Sequence, residues 1–170
     1  VIGRDTREPS KVIESNFINA LKNNGAEIFK AGLLSTPAIS YLIKKLNCNL
    51  GIVVSASHNP YQFNGIKFFN KNGEKLNDTE ENKIEKDFFK LNNKKNKDKN
   101  NGKIQIINNP FLIYKKKFTK ILTRNNFSSK LKIVIDCANG SSYKIAKYIF
   151  SRININPIYI KDKPNGKNIN

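Results

Sequence analysis

Short β-branched runs that alternate with helical repeats constrain this chain more than any other feature of its sequence. "VIGRDTR" at the start reads as the end of a strand followed by a charged loop. From Ser10 onward Val12, Ile13, Phe17, Ile18 and Leu21 recur at helical spacing, and Gly25 ends the repeat. A short strand over residues 26–29 and a turn at Gly32 come next. In "TPAISYLIKKL", Thr36 is the expected N-cap and Pro37 falls in the first helical turn. "LGIVVSA" then reads as a buried strand. Strand, helix, strand, helix, strand in this order implies right-handed crossovers and a largely parallel sheet.

Beyond Phe69, "NKNGEKL" is a hairpin-like turn around Asn72 and Gly73. Asp78 or Thr79 starts a helix carrying Ile84, Phe88, Phe89 and Leu91, and residues 92–103 are polar and low in complexity. A further helix is expected over residues 110–122. The pattern then restarts, because "LKIVIDCANGSSYKIAKYIFSRININPIYI" is one βαβ unit. The expected fold is α/β: a three-layer α/β/α sandwich with a mostly parallel mixed sheet over residues 1–105. Residues 106–129 form a linker and helix, and residues 130–170 begin a second, incomplete domain of the same type. One βαβ unit cannot close a doubly wound domain. Val1 also enters a strand directly, with no methionine anywhere in the chain, so the sequence is expected to belong to something longer.

Lysine and arginine total 31 against 13 acidic residues, a formal charge of +18. Such a balance invites a nucleic-acid reading. The lysines, however, cluster at residues 90–103 and 114–120 among asparagines, and arginine is scarce. Specific readers of phosphates and bases favour arginine forks and aromatic stacking platforms. The charge is read as a solvated basic surface with no specific nucleic-acid partner. No apolar run approaches the roughly 20 residues of a membrane span, so no membrane partner is expected and the default location is cytoplasmic. Cys48 and Cys137 lie far apart without C-x-x-C spacing and are read as reduced thiols.

The stretch "VVSASHNPYQFNGIKFF", residues 53–69, holds the only histidine, His58. Ser57 follows a buried parallel strand, so it lies at a strand's carboxyl end, where open α/β sheets place their ligands. Pro60 keeps Asn59 out of helical geometry and stiffens the loop. Lys67, on the next strand, can return a cation toward the loop tip. An acyl-transfer triad is poorly supported, because His58 is adjacent in sequence and no G-x-S-x-G elbow is present. A hydroxyl among amide donors, an asparagine and a lysine suits phosphate better, since a phosphoserine carries nearly two negative charges.

"SASHNP" followed by "NGIKFF" resembles the phosphoserine loop of the alpha-D-phosphohexomutases, in the variant of their glucosamine-phosphate branch. "GRDTR", "TPA", "VIDCANG" and "PNGKNIN" match further segments in the right order, so the resemblance spans essentially the whole chain. It implies that Ser57 carries a transferable phosphoryl group, and that this phosphate gives one ligand to Mg²⁺, the implied cofactor. It implies that Lys67 does acid/base or charge-stabilising work. His58 and Asn59 shape the phosphoserine surroundings, and Asp5 and Arg7 support the loop. The implied substrates are phosphosugars, interconverted between glucosamine 6-phosphate and glucosamine 1-phosphate for amino-sugar nucleotide and cell-wall precursor synthesis.

Glucose and mannose phosphates are the sister substrates, and a non-catalytic basic remnant is the reading from another class. Phe63 stands where the family usually has an aspartate. The "D-G-D-x-D-R" loop that supplies the Mg²⁺ carboxylates is not in the sequence, so the chain by itself is expected to be inactive. Oligomeric state is not legible. If the basic surface is only a solvated one, DNA binding followed by fluorescence anisotropy will be weak, fall steeply with salt and show no sequence preference. Sequence-dependent binding that survives physiological salt would overturn that reading.

Overall fold

In the computed structural model, which describes residues 1–90, 101–122, 131–153 and 155–170, the first strand lies at the centre of a sheet. The elements are β1 (Ile2–Arg4), α1 (Glu8–Asn23), β2 (Ile28–Leu33), α2 (Thr36–Lys45), β3 (Gly51–Val54), β4 (Ile66–Phe69), α3 (Asp78–Lys90), β5 (Ile104–Ile106), α4 (Pro110–Leu122), β6 (Val134–Asp136), α5 (Tyr143–Phe150) and β7 (Ile158–Ile160). The five-stranded sheet has the order β4-β3-β1-β2-β5. All its pairs are parallel except β3 with β4. The chain leaves β1 toward β2 and leaves β3 in the opposite direction toward β4. The sheet therefore opens a crevice at the carboxyl ends of β1 and β3, which is where such folds bind ligands.

The strand pleat sends alternate side chains to opposite faces, and a helical layer covers each face. Ile2, Ile18, Ile28 and Ile52 form one core beneath α1, with Phe17, Leu21 and Phe68 packed around it. Val53 points the other way and joins Ala38, Ile39, Leu42 and Ile43 of α2 with Tyr114 of α4. The result is the three-layer α/β/α sandwich with a mixed, mostly parallel sheet. Helix α4 also reaches α5, through Phe111 against Tyr148 at 6.2 Å between ring centroids. Strands β6 and β7 pair in parallel and, with α5, form the single βαβ unit expected there. Among the described residues no helix is long and apolar enough to cross a membrane.

Several boundaries differ from the sequence expectation. Helix α1 starts at Glu8, not Ser10. Glu8 and Pro9 make its first turn, where a carboxylate suits the positive end of the helix and proline's missing N–H leaves nothing unpaired. Strand β2 occupies residues 28–33 instead of 26–29, so Gly32 lies within it. Ile2 pairs with Lys30 and Gly3 with Gly32, so Ala31 is an extra residue, and Gly32 at φ 66° absorbs the resulting bulge. Ser35 takes the N-cap position of α2, with Thr36 already helical.

Asn77 caps α3 by a reciprocal arrangement: the Glu80 N–H donates to Asn77 Oδ1 at 3.0 Å, and the Asn77 N–H donates to Glu80 Oε2 at 3.0 Å. None of the side chains of α3 is buried, and Leu91 lies outside the described residues. Strand β5 has no counterpart in the sequence reading, because three exposed residues are too few to establish a period and only pairing with β2 defines it.

The turn after β4 is closed against α2. Gly73 has φ 72°, and a Cβ there would lie 2.5 Å from the Ser40 carbonyl oxygen. Ser40 Oγ also donates to the Gly73 carbonyl oxygen at 2.5 Å. Gly73→Ala combines a left-handed penalty with overpacking, and is expected to cost about 2–4 kcal/mol in a urea titration. An unchanged midpoint would show that this turn is not fastened to α2.

Candidate active site

Strand β3 is buried along its whole length, and the loop that follows it turns sharply into solvent. The Ser55 N–H still donates to the Gly65 carbonyl at 2.8 Å, which holds the two arms of the loop together. The Asn59 N–H then donates to the Ala56 carbonyl at 3.1 Å, closing a four-residue turn. Ser57 is the second residue of that turn and adopts φ 58°, a conformation that a residue with a Cβ rarely takes. Its N–H donates to Ser55 Oγ at 3.1 Å, so a buried hydroxyl supports the exposed one. Lys67 lies across from Val53 in the antiparallel pair, and its Nζ donates to Ser57 Oγ at 3.2 Å.

Arg7 lies beneath this turn and is completely buried. Its Nη1 forms an ion pair with Asp5 Oδ2, and its backbone N–H donates to Asp5 Oδ1 at 3.0 Å. Its Nη2 donates to the carbonyl oxygens of Ser57, at 3.2 Å, and of Asn59. Asp5 is itself fixed: its N–H donates to the Val54 carbonyl at 3.0 Å, and Ser10 Oγ donates to its Oδ1 at 3.0 Å. Asn64 Nδ2 donates to the same Ser10 hydroxyl at 3.0 Å. The structure thus assembles Ser57, Lys67, Asn59, Asp5 and Arg7 into one connected group. His58 is exposed, and its imidazole makes no hydrogen bond to another described residue. Phe63 is also exposed, at 59%.

Sequence reasoning gave no site role to Ser10, or to Asn64 although it opens the "NGIKFF" segment. It also missed a contribution from the far end of the chain: Asn170 Nδ2 donates to the carbonyls of Ser57 at 3.1 Å and Asn59 at 2.9 Å. No spacing rule links residues so distant; only the fold does.

Nearby electrostatics are set by burial. Burial pushes the Glu14 carboxyl above its usual range, and Arg4, donating from Nε to Glu14 Oε2 at 3.2 Å, pulls it partly back. In the second unit, Lys147 and Asp162 lie 2.6 Å apart, and the hydrogen bond between them lowers the aspartate and raises the lysine. Burial, with Asp162 nearby, also pushes the Cys137 thiol up; both cysteines are free.

A Mg²⁺ ion demands near-octahedral oxygen coordination. Among the described residues no group of three or more histidine, cysteine, aspartate or glutamate side chains comes together. Asp5, bonded to Ser57's loop through Arg7, is committed to Arg7 and Ser10. These residues do not make a Mg²⁺ site on their own, and Ser57 would contribute at most one phosphate oxygen to one.

A central switch point, a strained serine turn and a lysine at its hydroxyl thus meet at the carboxyl ends of β1 and β3. Residues 1–95 match the model of phosphoglucomutase/phosphomannomutase, alpha/beta/alpha domain I, and the chain belongs to that family. It is 43% identical over 174 residues to a phosphoglucosamine mutase of Caldicellulosiruptor bescii and 41% identical over 177 residues to one of Nitratiruptor. Both alignments take in all of this chain but only 38% and 39% of those relatives. The backbone superposes with TM-score 0.77 on a phosphoglucomutase/phosphomannomutase family protein of Burkholderia thailandensis, at 17% identity, covering 99% of this chain and 37% of that one.

Removing one partner of a buried ion pair strands the other charge. Arg7→Ala is expected to lower the unfolding free energy of the 170-residue chain by about 3–5 kcal/mol in urea titrations. It should also make the peptide bonds around Ser57 an early site of limited proteolysis. A variant with wild-type stability and unaltered cleavage would show that the guanidinium does not hold the loop.

Proposed function

We propose that this chain is the phosphoryl-carrying part of a mutase that interconverts glucosamine 6-phosphate and glucosamine 1-phosphate. One observation carries the reading: Lys67 Nζ lies 3.2 Å from the exposed Ser57 Oγ, on a turn whose carbonyls are fixed from below by a buried arginine. Residues 1–105 carry this loop, residues 106–129 link it onward, and residues 130–170 begin the second domain. The names of the relatives favour glucosamine, and a cytoplasmic location accords with amino-sugar nucleotide and cell-wall precursor synthesis.

In the proposed cycle Ser57 begins as a phosphoserine. A sugar hydroxyl gives up its proton and attacks phosphorus, the P–Oγ bond breaks with its electron pair going to Oγ, and the sugar leaves the first half-reaction as a bisphosphate. In the second half-reaction Ser57 Oγ gives up its proton and attacks the other phosphate, that phosphate's bond to its sugar oxygen breaks, the sugar oxygen takes up a proton, and Ser57 recovers the phosphoryl group. Charge builds on Oγ as the P–Oγ bond breaks, and the Lys67 ammonium is placed to stabilise it or to supply its proton. The strained turn presents Oγ outward, away from competing side chains. Asp5 and Arg7 act on the turn, not on the substrate. His58, whose imidazole bonds to no other described residue, is left with a share in shaping the phosphoserine surroundings. Mg²⁺ bound at the Ser57 phosphate would neutralise phosphoryl charge; its carboxylate ligands are not among the described residues.

Activity is to be assayed in a longer form, with this chain continued by the corresponding remainder of the C. bescii relative. With glucosamine 6-phosphate, Mg²⁺ and a bisphosphate activator, Ser57→Ala is expected to abolish turnover. Ser55 cannot replace it, because it is buried and already accepts the Ser57 N–H. Lys67→Ala should retain the carrier and lose about 10²- to 10⁴-fold in kcat. The 170-residue chain alone is expected to show no turnover. Near-normal turnover by the Ser57→Ala form would reduce Ser57 to a turn residue.

A further inference from the structure

Seven described residues other than glycine have positive φ, and five of them, Ser57, Ala138, Asn139, Lys161 and Asn170, meet where the second unit touches the serine turn. Backbone strain of this kind persists only where the surroundings over-determine it, and it gathers at functional sites. The surroundings here are one hydrogen-bonded knot. Asn139 is buried, and its four polar groups are all bonded. Its N–H donates to the Lys161 carbonyl at 2.6 Å, and its Nδ2 donates to the Asn168 carbonyl at 2.8 Å. Its Oδ1 accepts the Lys163 N–H at 3.0 Å, and its carbonyl accepts the Thr6 hydroxyl at 2.7 Å. The Asn170 N–H donates to the Ala138 carbonyl at 2.8 Å. The knot therefore fixes Asn170 to the turn after β6, and that turn to Thr6, between Asp5 and Arg7.

Asn170 Nδ2 then donates to the same two carbonyls, of Ser57 and Asn59, that Arg7 Nη2 binds. Each carbonyl oxygen has two lone pairs, so one guanidinium and one amide can occupy both. The turn is pinned by a cation of the first domain and by a neutral donor of the second unit.

We propose that Asn170, held in place by Asn139, is a positioning residue for the Ser57 hydroxyl, so that the phosphoryl carrier is aligned only while the second unit is docked against the first domain. The inference rests on the mutase reading for its consequence in turnover, but its structural content is independent of it. Asn170 never touches the reacting atoms; it orients the Cα–Cβ bond that carries Oγ. A shift of the second unit withdraws Nδ2 from both carbonyls and frees the strained Ser57 backbone to relax.

The test begins with hydrogen exchange on the 170-residue chain. Asn170→Ala is expected to speed exchange at the Ser57 and Asn59 amides by about tenfold and to leave Ile52 in β3 unchanged. Asn170→Asp, which puts a carboxylate against two carbonyls, should speed it more than alanine does, while Asn170→Gln restores part of the protection. Asn170 is exposed, so these variants keep the core intact; Asn139→Ala should reproduce the effect from a distance. In the longer form Asn170→Ala should lower kcat about tenfold with KM nearly unchanged. Unaltered exchange at Ser57 and Asn59 in both the alanine and aspartate variants would overturn the inference, as would a rise in KM at constant kcat. Retained turnover in the Ser57→Ala form would instead defeat the mutase reading and leave the exchange result standing.

Discussion

The guanidinium of Arg7 is the interaction around which this molecule is arranged. A buried charge is costly unless it is paired and its remaining donors are satisfied. Asp5 supplies the opposite charge and the carbonyls of Ser57 and Asn59 both accept from Nη2, while Nε has no partner among the described residues. That solution ties the loop after β1 to the loop after β3. Those are the two strands at whose carboxyl ends the sheet switches direction, so the electrostatic requirement and the topological crevice fall at one place.

The consequence for chemistry is rigidity without blockage. The carbonyls of the serine turn point inward to Arg7, while the Ser57 side chain stays exposed and within 3.2 Å of Lys67. A hydroxyl on a loose loop would sample many orientations; here the backbone bonds remove most of them before any substrate arrives. The lysine is held by its register opposite Val53. The cation at the hydroxyl is thus built on a strand, the more precise kind of support.

Much of this was legible in particular residues. The helical spacing of Val12 to Leu21 and the apolar "LGIVV" run gave the order of the first domain. "SASHNP" placed an exposed serine after a buried strand. Where the reading slipped, the cause was local. Gly32 has the signature of a turn, yet here its left-handed φ serves a bulge inside β2, because pairing with Gly3 of β1 carries the strand past it. Strand β5 has three exposed residues beside a low-complexity tract, and no periodicity can reveal so short an edge. Helix α3, by contrast, starts at Asp78 as expected, with Asn77 and Glu80 satisfying each other at its cap.

By itself the sequence determined the α/β alternation, the family and the identity of the loop, because these depend on periodicity and on short contiguous motifs. It also named Asp5, Arg7 and Lys67 as the loop's neighbours, through resemblance. Tertiary structure alone decided how they act: that Arg7 is fully buried and grips two backbone carbonyls besides the Asp5 carboxylate, that His58 makes no hydrogen bond to another described residue, and that Asn170 closes on the turn from 113 positions away. Backbone carbonyls are the same in every residue, so no pattern of side chains can mark which of them will be bound. Only the packing of the second unit against the first brings that amide to Ser57.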